Sequence, residues 1–204
     1  GELLENAIHY RDERTRDMLE KVFFKIPKDK LYEITGNEFM YFNTIFQMAA
    51  LIEKRPWMME RAKNFLFTPD LFNYFLTGNQ RAEYTMATTS TMFDIHKKEW
   101  SKEIADALGL SMSFFPKLVF PGTVVGELRP EICEELSVEP MKIVAVAAHD
   151  TQSASAVVPT QEDDFIFLSC GTWSLYGTEL PGPVINEKSL ELNVSNEGGY
   201  GGKV

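Results

Sequence analysis

The stretch Lys142-Ile-Val-Ala-Val-Ala-Ala-His149-Asp150 joins an unbroken apolar run to a carboxylate. Apolar runs without alternation are typical of parallel strands that are buried on both faces. In open α/β sheets, ligands bind in the crevice outside the carboxyl ends of the strands. We therefore expect a buried strand here, with the reactive carboxyl group of Asp150 at its end. A core strand with a polar cap is the alternative interpretation.

A second stretch, Phe165-Ile-Phe-Leu-Ser-Cys170-Gly171-Thr172-Trp173-Ser-Leu-Tyr-Gly177, predicts a β-hairpin. A glycine beside a hydroxyl residue in a tight turn lets backbone N–H groups converge on an anion. Gly171 and Thr172 are therefore candidates for holding phosphate, although a plain hairpin turn has the same pattern. The segment between Asp150 and Thr172 leaves room for a short helix and a strand, so we expect both groups to line one cleft.

The composition is that of an acidic globular protein. Thirty Asp and Glu residues against twenty Lys and Arg residues give the 204-residue chain a net charge of −10, which argues against nucleic acid or an anionic membrane as the main partner. No apolar run is long enough to span a membrane. Cys133 and Cys170 have neither disulfide nor metal-ligand spacing, so we expect a cytoplasmic location and predict no metal-binding residues.

Most of the chain before residue 114 has helical periodicity. Thr68-Pro69-Asp70 is a strong helix start, with a capping hydroxyl, a proline and an acid in the first turn, and Gly78 is a strong end. We also predict helices over Glu83–Phe93 and Thr151–Val157. Three prolines and two glycines between Phe114 and Pro130 predict a linker.

Taken in order, these motifs resemble those of the FGGY family of carbohydrate kinases. The stretches that carry the resemblance are Tyr10–Thr15, Phe42–Thr44, Pro69–Gly78, Glu83-Tyr84-Thr85, Phe120–Gly122, His149-Asp150-Thr151, Gly171–Leu175 and Asn193–Gly199. Each stretch alone is unspecific, but together they cover nearly the whole chain.

The resemblance implies an α/β fold, the central fragment of an actin-like (ribonuclease H-like) two-lobe ATPase. The N-terminal part would be rich in helix, and the C-terminal part would hold the buried strand and the β-hairpin. Residues 1–158 would form the later part of the N-terminal, sugar-binding lobe. Residues 159–204 would begin the C-terminal, nucleotide-binding lobe.

The resemblance also implies roles for individual residues. Asp150 matches the catalytic base, and His149, Asp150 and Thr151 match contacts to a sugar. Gly171 and Thr172 match a contact to ATP, with Mg²⁺ as the accompanying ion. These roles agree with the chemistry of phosphoryl transfer, in which a carboxylate accepts the proton of the attacking hydroxyl and little else needs a side-chain base.

The implied reaction is transfer of the γ-phosphoryl group of ATP to a ketose. The Gly-Thr-Trp-Ser-Leu and His-Asp-Thr runs favour L-rhamnulose, phosphorylated on O1, while xylulose, fuculose, gluconate and glycerol remain alternatives. A non-catalytic sugar-sensing relative is a further alternative. A hydrolase triad built on His149, Asp150 and a serine is disfavoured because the sequence has no Gly-x-Ser-x-Gly motif.

Several family segments are missing from the sequence. These are the first phosphate hairpin of the Asp-x-Gly-x-Ser type, a sugar-contacting Asp-x-x-Gly segment and the glycine-rich adenine region. The chain also begins without methionine and ends in the glycine-rich Gly198–Val204. We therefore expect a fragment of a longer protein that does not turn over alone, and the sequence leaves its oligomeric state open.

Overall fold

The computed structural model describes residues 1–162 and 164–204. Asp163, in the acidic link before the predicted hairpin, lies outside the described residues. The helices are α1 Met18–Lys25, α2 Lys28–Thr35, α3 Thr44–Lys54, α4 Pro56–Arg61, α5 Thr68–Thr77, α6 Tyr84–Thr88, α7 Lys102–Leu108, α8 Pro130–Leu136, α9 Asp150–Ser155 and α10 Glu187–Glu191. Short 3-10 helices cover Glu13–Thr15, Met112–Phe114 and Tyr200–Gly202. None of the helices in the described part of the chain has the length and apolar content needed to cross a bilayer.

The strands are short and pair two by two within the described residues. They are β1 Arg81–Glu83, β2 Phe93–Asp94, β3 Glu99–Trp100, β4 Lys117–Val119, β5 Val124–Glu127, β6 Lys142–Val144, β7 Phe167–Cys170 and β8 Ser174–Gly177. The pair β1 and β4 is parallel. The other three pairs, β2 with β3, β5 with β6 and β7 with β8, are antiparallel.

The chain divides into two compact units, each built from several segments. Unit 1 contains 1–65, 88–115 and 184–196, and unit 2 contains 66–87, 116–183 and 197–204. The division into lobes at residue 158, implied by the family resemblance, stays a prediction.

Unit 1 is a set of helices packed around an apolar core. Helix α3 packs against α1 and α4, and α1 also packs against α7. Val22, Ile45 and Ile104, one from each of α1, α3 and α7, have no exposed surface. These amphipathic helices are stable because each buries one apolar stripe against its neighbours.

A buried amide network attaches residues 184–196 to the end of α2 in unit 1. Asn196 donates from its backbone and from Nδ2 to the Gly36 carbonyl oxygen, at 2.8 and 3.0 Å. Asn37 Nδ2 donates to the Asn196 carbonyl oxygen at 3.2 Å. Gly36 has a φ of 65°, in the left-handed region, so the chain turns back at the end of α2 where a side chain would be strained.

Unit 2 contains the strands and helices that carry the predicted site. Strand β6 was expected to be parallel and buried on both faces, and this expectation is wrong. It pairs antiparallel with β5, and burial alternates beyond its end: Ala145 is 1% exposed, whereas Val146 is 66% exposed. Helix α5 packs against β5 and β6. The buried residues Val119, Val125 and Ala145 form a small core, and Ile143 packs against it.

The predicted linker between Phe114 and Pro130 is also wrong, because it contains β4 and β5. Pro121 and Gly122 form the turn between these strands, Gly126 lies within β5 and Pro130 begins α8. Gly122 has a φ of 87° and donates its N–H to the Ala145 carbonyl oxygen at 2.8 Å. The turn between the two strands is therefore attached to the segment that leads to Asp150.

The helix predicted over Glu83–Phe93 is replaced by the end of β1, the short helix α6 and the start of β2. Threonine and serine side chains in this segment are buried, and such side chains compete with helical backbone hydrogen bonds. The predicted helix over Thr151–Val157 is α9, which starts one residue earlier and ends at Ser155.

Helix α5 confirms the strong start and stop signals. It runs from Thr68 to Thr77, carries a proline in its first turn and ends at Gly78 in the left-handed conformation. Thr68 is the first helical residue rather than the cap, and no side-chain cap is formed. The hairpin of β7 and β8 is confirmed as well.

Asp70, in the first turn of α5, is a buried acid with few hydrogen bonds to its carboxyl group. Its Oδ1 atom accepts the Glu83 N–H at 3.1 Å, while Oδ2 has no hydrogen-bond partner among the described residues. Loss of hydration on burial raises the pKa of Asp70 to about 7, and the nearby carboxyl group of Glu83 acts in the same direction. The folded protein therefore keeps a proton on Asp70 over a pH range in which the unfolded chain has lost it.

Gly36→Ala should destabilise the protein more than Gly109→Ala. Both glycines end a helix with a φ near 70°, so both changes carry the left-handed strain of about 1 kcal/mol. A Cβ atom at Gly36 would lie 2.9 Å from Asn196 Cβ and 3.0 Å from Ile185 Cδ1, whereas one at Gly109 meets nothing within 4 Å. We expect an additional loss of about 2 kcal/mol for Gly36→Ala in urea denaturation. Equal losses would contradict the close packing of 184–196 on α2.

Asp70→Asn should remove a pH-dependent loss of stability. Because the folded-state pKa of Asp70 is raised above 3.8, its contribution to the free energy of unfolding falls as pH rises from about 4 to about 7 and is constant above that. Asparagine keeps the Oδ1 acceptor and carries no charge. Relative to the parent, the variant should gain about 3 kcal/mol between pH 5 and pH 8. Asp29→Asn, an exposed first-turn acid of α2, is the matched control. A gain no larger than that of the control would show that Asp70 is not the group responsible.

Candidate functional site

The predicted base lies at the junction between β6 and α9. Asp150 is the first residue of α9, and its side chain is exposed. Its Oδ1 atom accepts the backbone N–H of Thr151 at 2.8 Å. The carboxyl group is thus held by its own helix through one oxygen. This local arrangement leaves Asp150 accessible to a ligand.

His149 precedes Asp150 and faces a second acid. Its Nδ1 atom lies 3.3 Å from Oε2 of Glu197, and both side chains are about one fifth exposed. This is a contact at ion-pair distance only, because Nδ1 has no hydrogen-bond partner among the described residues. Glu197 belongs to the Asn193–Gly199 stretch that contributed to the family resemblance, but no sequence signal linked it to His149.

Thr151 is mostly buried, with 6% of its surface exposed. Its backbone N–H is engaged by Asp150. The expected contact between Thr151 and a sugar therefore stays a prediction, and the structure adds a supporting role for its backbone.

The turn before Asp150 is held by side chains that the sequence did not single out as functional. Glu83 Oε2 accepts the Ala148 N–H at 3.1 Å, and Thr85 Oγ1 accepts the His149 N–H at 3.1 Å. Ser153, on α9, donates from Oγ to the Ala147 carbonyl oxygen at 2.6 Å. The first two of these contacts join residues more than sixty positions apart, so no local pattern revealed them.

Gly171 and Thr172 occupy the turn between β7 and β8, and both are exposed. The Gly171 N–H donates to the Trp173 carbonyl oxygen at 2.8 Å, so it closes the hairpin and is not turned outward. A Cβ atom added to Gly171 would meet only that oxygen, at 3.9 Å. The glycine therefore leaves open space in which a ligand can approach the Thr172 amide and hydroxyl.

The two halves of the predicted site belong to elements that touch. Helix α9, which begins at Asp150, packs against β7, which leads into the turn at Gly171. Both elements lie in unit 2. A common cleft for Asp150 and Thr172 stays a prediction.

An exposed hydroxyl and amide beside open space suit the oxygens of a polyphosphate. No group of three or more His, Cys, Asp or Glu side chains in 1–162 or 164–204 is arranged to hold a metal ion. Mg²⁺ does not require such a group, because it is commonly held by one or two carboxylates together with substrate phosphates. The residues present therefore fit a nucleotide that brings its own magnesium.

Comparison with known proteins gives a consistent result. The family model "FGGY family of carbohydrate kinases, N-terminal domain" matches residues 1–157. The chain is 43% identical over 196 residues to the rhamnulokinase of Oceanobacillus iheyensis, covering 96% of this chain and 41% of the relative. It is 38% identical over 204 residues to the rhamnulokinase of Bacteroides thetaiotaomicron, covering all of this chain and 42% of the relative. The chain thus spans about two fifths of the length of these curated relatives.

Solved structures agree on the fold. Gluconate kinase from Lactobacillus acidophilus superposes with a TM-score of 0.81 at 21% identity, covering 92% of this chain and 38% of that structure. Xylulose kinase from the same organism gives a TM-score of 0.80 at 21% identity, with the same coverage. The expected fold, a fragment of the actin-like fold of the FGGY sugar kinases, is confirmed. By sequence and by fold, this chain belongs to the FGGY family of carbohydrate kinases.

Proposed function

We propose that this chain is part of an ATP-dependent sugar kinase that phosphorylates L-rhamnulose on O1. Identity of 38–43% to two proteins named rhamnulokinase, over nearly the whole chain, supports this acceptor. Because the chain spans about two fifths of their length, the activity belongs to the complete protein, and we propose no turnover by the chain alone.

The single observation that carries the proposal is the exposed carboxyl group of Asp150 at the start of α9. Its Oδ1 atom is occupied by the Thr151 N–H, which leaves Oδ2 for a substrate hydroxyl. A carboxylate held through one oxygen keeps a fixed direction for the other. This is the arrangement that general base catalysis requires.

In the proposed step, Asp150 accepts the proton of the sugar O1 hydroxyl as O1 attacks the γ-phosphorus of ATP. The O1–P bond forms, the bond from that phosphorus to the β–γ bridging oxygen breaks, and ADP leaves with the electron pair. The proton on Asp150 then passes to solvent. Phosphoryl transfer of this kind depends mainly on alignment and on stabilisation of charge.

His149 is proposed to orient the sugar. Its Nδ1 atom is buried, lies 3.3 Å from Glu197 Oε2 and forms no hydrogen bond with a described residue. The other ring nitrogen, Nε2, would bond a sugar hydroxyl next to the one that reacts.

Thr172 is proposed to hold the terminal phosphates through its amide and hydroxyl, with Gly171 giving them access to the backbone. Mg²⁺ bound with the nucleotide would neutralise the charge that develops on the transferred group. The roles of Asp150, His149 and Thr172 together require a sugar and a nucleotide on opposite sides of the transferred phosphoryl group.

Asp150→Asn in the complete protein should lower kcat by about 10²- to 10⁴-fold, because the amide cannot accept the hydroxyl proton. The dissociation constant for the sugar, measured by calorimetry, should change by no more than a few-fold. Asp106→Asn is the matched control, since Asp106 is an exposed carboxylate on α7 that pairs with Lys102. Its kcat should equal that of the parent.

Two outcomes would contradict the kinase proposal. Full turnover by Asp150→Asn would remove Asp150 from the role of base. Sugar binding without any turnover in the parent protein would favour a sugar-sensing relative instead.

A panel of acceptors tests the choice of sugar. With the complete protein, ATP and Mg²⁺, kcat/KM should be highest for L-rhamnulose, compared with xylulose, fuculose, gluconate and glycerol. Phosphorus NMR of the product should locate the phosphate on O1. A higher kcat/KM for another acceptor would keep the kinase and reassign its substrate.

A further inference from the structure

We propose that Glu83 and Thr85 form a positioning pair that sets the direction of the Asp150 carboxyl group. This inference rests on the proposed function, because it requires Asp150 to act as the base. The pair comes from the end of β1 and the start of α6, and both residues are almost completely buried, at 1% and 0% exposed.

The pair holds two consecutive peptide groups in the turn before Asp150, those that join Ala147 to Ala148 and Ala148 to His149. Glu83 Oε2 accepts the N–H of Ala148, and Thr85 Oγ1 accepts the N–H of His149, each at 3.1 Å. With both N–H groups held, the peptide planes on either side of Ala148 are fixed. The backbone therefore enters α9 in a set orientation, and the Cα–Cβ bond of Asp150 takes its direction from that backbone.

The hydrogen bonds of Glu83 and Thr85 are also compatible with each other, since each donor meets an acceptor. Thr85 donates its single hydroxyl proton to Glu83 Oε2, so its oxygen lone pairs are available to the His149 N–H. Glu83 Oε1 accepts the Thr85 N–H at 3.0 Å. The Thr85, Met86 and Ala148 N–H groups and the Thr85 hydroxyl all donate to the Glu83 carboxylate. Four donors suit an acceptor-only carboxylate, whereas a glutamine amide would turn a donor of its own toward them.

Glu83 is held in turn by Asp70. The Asp70 Oδ1 atom accepts the Glu83 N–H at 3.1 Å. Within the same turn, Ser153 donates to the Ala147 carbonyl oxygen. The turn from Ala147 to Asp150 is thus held by side chains from two different segments of unit 2.

Such a pair affects rate more than binding. A shift of about 1 Å between reacting groups costs about 100-fold in rate, even when the substrate still binds. A residue that only stabilises the fold would lower the melting temperature without this selective loss. The kcat and the sugar KM therefore distinguish positioning from simple stabilisation.

Thr85→Val in the complete protein tests the pair, because valine keeps the shape and removes the hydroxyl. We expect kcat to fall by about 10- to 100-fold, with the KM for the sugar within about threefold of the parent. Thr85→Ser restores the hydroxyl and should recover most of kcat. Thr35→Val is the matched control: Thr35 is buried in α2 and makes two hydrogen bonds through its hydroxyl, to Leu31 and from Asn37, within unit 1. It should lose stability and keep the parental kcat.

Glu83→Gln provides the second variant, should Thr85→Val fail to fold. It keeps the volume of the side chain and should show the same loss of kcat at unchanged sugar KM. A folded Thr85→Val or Glu83→Gln variant with the parental kcat would overturn the proposal. An equal loss of kcat in Thr85→Ser and Thr85→Val would overturn it as well. If the parent protein shows no turnover, the proposed function is wrong. If the parent turns over and the variants keep its kcat, only the positioning pair is wrong.

Discussion

The N–H groups of Ala148 and His149 donate to side chains that come from a segment more than sixty residues earlier. These two hydrogen bonds join the end of β1 and the start of α6 to the turn between β6 and α9, two parts of unit 2 that are distant in sequence. A short two-stranded ladder such as β5 with β6 does not by itself fix the chain beyond its last residue. The direction of Asp150 therefore depends on a buried side-chain contact and not on the strand alone.

This contact has a free-energy cost that the surrounding structure has to offset. A buried carboxyl group is unfavourable unless hydrogen bonds replace its hydration. Glu83 meets the N–H groups of Thr85 and Ala148 and the Thr85 hydroxyl, whereas Asp70 receives one N–H and keeps Oδ2 without a partner in the described part of the chain. Little replaces the lost hydration of Asp70, and burial raises its pKa to about 7. Proteins retain such costly groups mainly where function requires a fixed geometry.

The hairpin of β7 and β8 is held by local contacts, unlike the turn before Asp150, which is held by side chains from a distant segment. Its ladder is local, and its turn residues Gly171 and Thr172 are exposed. The Gly171 N–H closes the hairpin, so this residue contributes open space and not a donor. A local turn that presents one amide and one hydroxyl would adapt to the proposed polyphosphate, whereas the proposed base, Asp150, has to be held from several directions.

The sequence by itself determined the family. It also determined those helices and turns that depend on residues close to each other in the chain. The start and stop residues of α5, the hairpin around Gly171 and the helix after Asp150 follow from capping, turn and periodicity rules that act over a few residues. The chain order of the motifs is sufficient to identify the FGGY family. The tertiary structure alone decided that β6 pairs antiparallel with one exposed face, that Thr151 is buried, and that Glu83, Thr85 and Glu197 surround the residues before Asp150. An apolar run has the same appearance whether one or both faces are covered, and hydrogen bonds between distant segments form only when folding brings the donors and acceptors together.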